Sequence, residues 1–211
     1  MYNPDEPIVV APGIRREPIP VNARNRAADW SPDAAIRLVD GRACRISELV
    51  GNRELVLQFF YTRCDGTCPV TTQRLEQIAK SMPGRFGRSA VMLSISLDPE
   101  RDTMEHLRRN KAMKGLPGWW NIARVERPEL ERLLDSVGFN REKFDPKTRR
   151  IVHASEVVFG SRRNRRWCVA NAGSMDAKVV RELFLISWEG VKYQNPRRPG
   201  IELVPGRTTK V

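Results

Sequence analysis

One junction in the sequence, where an apolar strand runs into a helix, constrains the fold more than any other feature. Strand signals cover residues 55–61, and Pro69 suits the first turn of a helix because its missing N–H would have no partner there. Cys64 and Cys68 lie at this junction with three residues between them. We therefore expect Cys68 at or next to the N-cap, where the helix dipole lowers a thiol pKa and makes the sulfur a nucleophile or a soft-metal ligand.

The remaining chain alternates strands with helices. The pattern predicts a β-hairpin over 35–50, a helix over 69–82, a strand over 90–97, a helix from Asp102–Thr103 to about Lys114, a strand over 119–125, a helix over 128–137, a hairpin formed by SEVVFG and RRWCVA, and a last helix over 177–186. This order predicts an α/β fold, thioredoxin-like with an N-terminal β-hairpin extension. A nucleotide-binding sheet alternates in the same way, but the sequence contains neither G-x-G-x-x-G nor a P-loop.

Length and composition predict one domain with two tails. A chain of 211 residues with 40% hydrophobic content can bury one sizeable core. Residues 1–28 are rich in proline, arginine and asparagine and predict an extended N-terminal arm, 29–187 the domain, and 188–211 an extended basic C-terminal tail. Residues 138–154 predict a long irregular loop.

The net charge of +12 comes from 37 basic and 25 acidic residues that are scattered along the chain. Such dispersal indicates a solvated surface rather than a nucleic-acid footprint, so we expect no nucleic-acid partner. The densest basic group, from Arg162 to Arg166, is expected to decorate a hairpin turn, with a docking site for an acidic partner as the alternative.

The sequence does not determine the cellular compartment of the protein. No stretch of eighteen apolar residues and no signal-peptide pattern occurs, so we expect no membrane segment in this chain. A cytoplasmic protein, an envelope protein without its anchor and a misplaced start are all compatible with this.

The other cysteines and the two histidines carry different expectations. Cys44 and Cys168 lie in strand-like segments and are expected to be packing residues. His106 lies among charged residues of a helix and is expected at the surface. His153 stands just before a strand, where it is either a structural histidine or an imidazole presented to the two cysteines.

The pair of thiols permits a disulfide or a soft metal ion. Structural zinc needs four protein ligands and an iron–sulfur cluster usually four cysteines, but the chain has no second cysteine pair. Cu(I) accepts two or three soft ligands, so among common metals it suits two thiolates with one imidazole best.

The segment from LVDGRACRISEL to CDGTCPVTTQRL, with the downstream SISLDPERDT and VHAS, resembles the Sco/SenC family of copper-binding thioredoxin-fold proteins. The resemblance implies that Cys64, Cys68 and His153 bind copper, as Cu(I) with Cu(II) as a second form, and that Asp98 influences the histidine. It also implies a place on the periplasmic or intermembrane-space side of the cell envelope. The partner would be a copper-site subunit of cytochrome oxidase or a copper donor. The family's usual acidic residue before the histidine is replaced here by Val152.

Three functions are compatible with these features. The first is a copper chaperone that helps assemble the dinuclear copper centre of cytochrome c oxidase. The second is an enzyme, a thiol-disulfide reductase acting on a copper-site precursor, in which Cys64 attacks and Cys68 resolves. The third is a structural subunit that has kept the fold.

Overall fold

The computed structural model describes residues 24–26, 31–64, 66–139, 144–145, 150–151, 155–163 and 166–172 and positions 181 and 184. The predicted C-terminal tail, 188–211, lies outside these residues, as does the predicted arm, 1–28, apart from Arg24–Arg26. Those three residues form a strand.

Strands and helices alternate along most of the described chain. In chain order the strands are β1 (Arg24–Arg26), β2 (Ala35–Leu38), β3 (Ala43–Arg45), β4 (Glu54–Phe60), β5 (Ala90–Ser96), β6 (Trp120–Arg124), β7 (Phe144–Asp145), β8 (Arg150–Ile151), β9 (Glu156–Ser161) and β10 (Arg166–Asn171). The helices are α1 (Ile46–Val50), α2 (Thr67–Lys80), α3 (Met104–Met113) and α4 (Arg127–Val137). Eight strands form one sheet in the order β1-β10-β9-β4-β5-β6-β2-β3, while β7 and β8 pair within the segment predicted to be irregular.

The middle of the sheet is parallel. β4 pairs with β5 and β5 with β6, and helices α2 and α3 make the two crossovers. Every residue of β4 and β5 is buried, as expected of strands covered on both faces. Phe60 stands beside Ser96 at the carboxyl ends of these strands. The chain segments that follow β4 and β5, which contain Cys64 and Asp98, therefore leave the same edge of the sheet.

The predicted N-terminal hairpin is confirmed. β2 and β3 are antiparallel, and the turn between them places Gly41 at φ 99°, where glycine has no steric penalty. The sequence reading missed the short helix α1, which directly follows β3. Its buried residues Ile46, Leu49 and Val50 have helical spacing, but five residues are too few for that periodicity to be recognised in advance.

The helices cover the sheet on both faces. The buried residues of α2 recur with helical periodicity, and the apolar ones form one core with Leu107 of α3. The buried residues are Cys68, Thr71, Thr72, Leu75, Ile78 and Ala79. Helices α1 and α4 contribute to a second core, which includes Ile46, Leu130 and Leu134. α2, which carries Cys68, is thus held against the sheet by its own apolar face.

The antiparallel edge places the basic turn far from the cysteines. β9 pairs with β4 so that Ser161 faces Glu54, and the exposed residues Arg162 and Arg163 follow directly. β4 spans about 20 Å from Glu54 to Phe60 at the usual rise per residue. A partner docked on this turn would therefore contact the end of the sheet opposite Cys64.

The two described residues of the predicted last helix, Arg181 and Phe184, are helical. Phe184 is fully buried and packs against Phe159 of β9, with 4.6 Å between the ring centroids. Within the described part of the chain, no helix has both the length and the apolar character needed to cross a membrane.

Candidate metal and thiol site

Both cysteines of the predicted site lie where the chain passes from β4 into α2. Cys64 precedes the helix, and Cys68 is its second residue. The sequence reading started this helix at Pro69, but it begins two residues earlier, at Thr67, with Gly66 as its N-cap. A glycine cap offers no side chain to satisfy the first backbone N–H groups, which leaves those donors available to other acceptors.

The sulfur of Cys64 takes the place of a capping side chain. The backbone N–H of Cys68 donates to Cys64 Sγ over 3.4 Å, and the turn is closed by a hydrogen bond from the Cys64 N–H to the Tyr61 carbonyl. A sulfur against the N-terminus of a helix faces the positive end of the helix dipole. This arrangement favours negative charge on Cys64 rather than on Cys68.

The two thiols differ in exposure and in acidity. Cys64 is half-buried, whereas Cys68 is only 2% exposed and belongs to the core beneath α2. A side-chain hydrogen bond to Cys64, separate from the backbone contact, raises the pKa of the Cys68 thiol, and burial raises it further. The expectation of a lowered pKa at Cys68 is therefore wrong: as the second residue of α2 rather than its cap, Cys68 points into the core.

Asp98 lies at the same edge of the sheet, two residues after β5. It is 4% exposed, and its Oδ2 forms an ion pair with Arg101 Nε at 2.5 Å. Its backbone N–H donates to Ser96 Oγ, and its carbonyl accepts from the N–H groups of Arg101 and Asp102. The carboxylate predicted to influence a histidine is thus held by a neighbouring arginine.

A second acidic residue, Asp102, was expected only to open α3. Its carboxylate is 1% exposed and accepts from the Thr62 N–H at 3.0 Å, from the Thr62 hydroxyl at 2.5 Å and from the Ser96 hydroxyl at 2.6 Å. Thr62 stands two residues before Cys64. The only sequence signal was the pair of aspartates in D-P-E-R-D-T, and it gives no indication of which strand ends the second aspartate joins.

The predicted third ligand, His153, lies outside the described residues. Among the residues that the structure does describe, no three His, Cys, Asp or Glu side chains are grouped so that they could hold a metal ion. The ligand set of Cys64, Cys68 and His153 therefore stays a prediction.

The remaining candidates have the structural roles expected of them. His106 is exposed on α3, and its Nδ1 lies 2.9 Å from the Arg101 carbonyl, to which it donates. Cys168 is a buried residue of β10, and Cys44 is a half-buried residue of β3 packed against the second core.

The fold and the site define a class: a thioredoxin-like protein with two thiols where a parallel strand gives way to a helix. Residues 36–115, which include Cys64, Cys68, Asp98 and Asp102, match the model of the SCO1/SenC family. The Sco/SenC recognition made from the sequence is confirmed by this match. No curated protein matches the chain closely enough to count as a relative.

Solved structures share the fold. A putative electron transfer protein from Aquifex aeolicus is 22% identical with a TM-score of 0.61, over 72% of this chain and 89% of its own. ScoI of Bradyrhizobium japonicum with copper bound is 16% identical with a TM-score of 0.60, over 74% of this chain and 97% of its own. BsSco, a member of the Sco family of cytochrome c oxidase assembly proteins in which a disulfide switch was identified, is 18% identical with a TM-score of 0.60, over 74% and 91%.

Proposed function

We propose that this protein is a Sco-type copper chaperone that helps to assemble the dinuclear copper centre of cytochrome c oxidase. The observation that carries the proposal is the placement of two thiols at one helix start, with Cys64 Sγ 3.4 Å from the Cys68 N–H. The thiols lie inside the segment that matches the SCO1/SenC model, and a structural relative has copper bound. In the proposal Cys64, Cys68 and His153 bind the ion.

The donor set fits a soft, monovalent ion. Two thiolates from one turn of chain suit Cu(I), which is content with two or three soft ligands, whereas structural zinc requires four. Copper is the cargo here, so its site must release it as well as bind it. The half-buried position of Cys64 is compatible with transfer, because a partner's sulfur could reach the ion from the solvent side.

Chain connectivity supports His153 as the third ligand. The pairing of Gln58 with Val157 puts Ser155 beside the carboxyl end of β4, from which the segment carrying Cys64 leaves. The Ser155 carbonyl accepts from the Ala172 N–H, and the Ala172 carbonyl accepts from Arg74 of α2. His153 is two residues from Ser155, and two residues span at most about 7 Å.

Oxidation of the two thiols would couple redox state to copper occupancy. When the two thiolates form a disulfide they give up two electrons to an oxidant such as glutathione disulfide, which takes up two protons from water and becomes two glutathione thiols. The disulfide sulfurs no longer carry the charge that held Cu(I), so the ion is released.

A second function, thiol-disulfide reductase, is favoured by the asymmetry of the two thiols. Cys64 is the more exposed of the two and would attack a substrate disulfide, releasing one substrate thiol. Cys68, buried and with a raised pKa, would then displace the second substrate thiol and leave a protein disulfide. The substrate would be the cysteine pair of a copper-site precursor.

The proposed partner is a protein of the oxidase copper site, or a copper donor, on the envelope side of the membrane. Pro69 and Val70 are exposed in the first turn of α2, and Val70 is 46% exposed. An exposed apolar side chain next to the thiols offers a contact for such a partner. The net charge of +12 would speed its encounter with an acidic protein at low salt.

Metal analysis of the reduced protein tests the proposal. We expect one copper per chain in the wild type, and loss of copper in Cys64→Ser, Cys68→Ser and His153→Ala. His106→Ala is the matched control, because it removes an exposed histidine of α3 whose ring nitrogen contacts the Arg101 carbonyl, and it should keep the copper. Absence of copper from the reduced wild type contradicts the chaperone function; reductase turnover that survives in His153→Ala supports the second function.

A further inference from the structure

The buried carboxylate of Asp102 joins three chain segments at the edge of the sheet that carries the thiols. Its oxygens accept two hydrogen bonds from Thr62, in the connection that carries Cys64, and one from Ser96, the last residue of β5. Its own backbone N–H donates to the Asp98 carbonyl at 2.8 Å, and Thr103, the N-cap of α3, follows it. One residue thus ties the β4–α2 connection, the end of β5 with the turn that follows it, and the start of α3.

The placement of Thr62 determines what this carboxylate can control. Thr62 directly follows Tyr61, whose carbonyl accepts from the Cys64 N–H at 3.2 Å. Both the backbone N–H and the hydroxyl of Thr62 are directed at Asp102, so the first half of the connection is fixed relative to β5. The second half begins α2, which its apolar face holds on the sheet. The contact between Cys64 Sγ and the Cys68 N–H lies between these two fixed points.

Burying a carboxylate in a protein interior costs free energy because the group loses its hydrating water. It is tolerated there only when hydrogen bonds replace its water, and Asp102, 1% exposed, has three such donors from two segments. An asparagine of the same shape would keep one acceptor oxygen, but it would present an NH₂ group to a donor. A change of one atom is therefore enough to break part of this arrangement.

We propose that Asp102 is a positioning residue for the thiol pair, which holds Cys64 against Cys68 and so sets the effective concentration of one thiol at the other. It touches neither sulfur and acts through Thr62. The inference rests on the proposed function in that it concerns the same two thiols, but it requires no copper.

The quantity that Asp102 controls is the equilibrium with glutathione. In this reaction the two cysteine thiols and one glutathione disulfide give a protein disulfide and two glutathione thiols, so two electrons and two protons pass from the protein to glutathione. Its equilibrium constant has the unit of concentration and measures how well the two thiols are held together. A loosened connection lowers this constant and makes the protein disulfide easier to reduce.

The test is a titration of copper-free protein in glutathione redox buffers, with alkylation and mass analysis of the remaining thiols. For Asp102→Asn we expect the equilibrium constant to fall about tenfold, which for a two-electron couple is about 30 mV. Thr62→Val loses the hydroxyl but keeps the backbone N–H, so its equilibrium constant should fall by a smaller factor. Thr62→Ser retains the hydroxyl and should recover the wild-type value.

Thr103→Ala is the matched control for a merely structural effect. The Thr103 hydroxyl caps α3 by accepting from the His106 N–H. Thr103 is the residue next to Asp102, but its side chain makes no hydrogen bond to Thr62. We expect the equilibrium constant of this variant to stay within about twofold of the wild type even though the protein is less stable. The proposal is overturned if the equilibrium constant of Asp102→Asn equals that of the wild type. It is also overturned if the constant of Thr103→Ala falls as far as that of Asp102→Asn.

Two further outcomes are assigned in advance. If Asp102→Asn does not fold, as seen by circular dichroism, the comparison of Thr62→Val with Thr62→Ser decides, and equal values for these two overturn the proposal. If the wild type binds no copper but the titration gives the expected pattern, the proposed function fails while the role of Asp102 stands.

Discussion

Cys68 donates its backbone N–H to the sulfur of Cys64, and the two thiols joined by this contact are chemically different. Cys64 is half-buried at the start of a helix, where negative charge is favoured, while Cys68 is buried, and a side-chain hydrogen bond to Cys64, with burial, raises the pKa of its thiol. Two cysteines that look equivalent in C-D-G-T-C therefore lie in different environments. The Cys64 sulfur is half-buried, whereas the Cys68 side chain belongs to the core beneath α2.

Alkylation should reveal this difference directly. At pH 7.5 we expect iodoacetamide to modify Cys64 at least about ten times faster than Cys68, because the thiolate reacts and only Cys64 combines exposure with a favourable site. Peptide mass spectrometry of the reduced protein over time gives both rates.

Cys44 provides the internal control for exposure. It is also half-buried, but it belongs to strand β3, and burial raises the pKa of its thiol. We expect its rate to lie between those of Cys64 and Cys68. Modification of Cys44 as fast as Cys64 would show that exposure alone controls reactivity here.

A buried polar chain fixes the helix that carries Cys68. Gln58 of β4 donates to Thr72 of α2 and accepts from Ser94 of β5, which in turn accepts from the indole N–H of Trp120. Thr72→Val keeps the shape but leaves the Gln58 amide without its acceptor, so it should destabilise the protein by about 1–3 kcal/mol. Urea unfolding of this variant, beside Gln73→Ala on the exposed face of the same helix, measures the cost. An equal, small effect of both substitutions would contradict the role of the polar chain.

The alternation of strands and helices could be predicted because each long element carries its own periodic signal. The strand over 90–97 and the helix over 128–137 are observed within one residue at each end. Element ends that were predicted from a single residue were less accurate. Pro69 indicated the first position of α2, yet proline is tolerated throughout the first turn, and the helix begins at Thr67.

The organisation of the site could not be predicted because it depends on contacts between distant segments. The sequence indicated that Cys64 and Cys68 are a pair, but not that the first would accept a hydrogen bond from the second. Asp102 and Thr62 are forty residues apart, and nothing local indicates that they meet. Their contact follows from the parallel register of β4 and β5, which a single sequence does not encode in any short motif.

The stability of the N-terminal hairpin should depend on pH through Asp33. Burial would raise the pKa of this carboxyl, but hydrogen bonds from Arg45 and from the Ser47 N–H outweigh burial, and the pKa is lowered below its usual 3.8. A group whose pKa is lower in the folded state stabilises above its unfolded pKa and loses this contribution as the pH falls through the folded value. The contribution of Asp33 should thus be complete at pH 7 and decline below about pH 4.

Comparison of Asp33→Ala with the wild type tests this pH dependence. We expect the substitution to cost about 1 kcal/mol at pH 7, the usual value of a lost helix cap, and less at pH 3. Glu105→Ala, which removes an exposed ion pair with Arg109, should cost less than about 0.5 kcal/mol at either pH. A cost for Asp33→Ala that is the same at pH 3 and pH 7 would exclude the ionised carboxylate as its source.

The ion pair of Asp98 with Arg101 should be among the most strongly coupled pairs at the thiol edge of the sheet. Asp98 is 4% exposed and Arg101 is partly exposed, so Arg101→Gln leaves a charge that solvent can only partly reach. We expect this substitution to destabilise the protein by about 2 kcal/mol, and Asp98→Asn in the same background to restore part of the loss, with a coupling energy of about 1 kcal/mol. Arg109→Gln, in the exposed pair with Glu105, should show almost no coupling with Glu105→Gln when studied by the same urea unfolding. A coupling energy near zero for the first pair would mean that Asp98 is held by its backbone hydrogen bonds alone and that its carboxylate is available to another group.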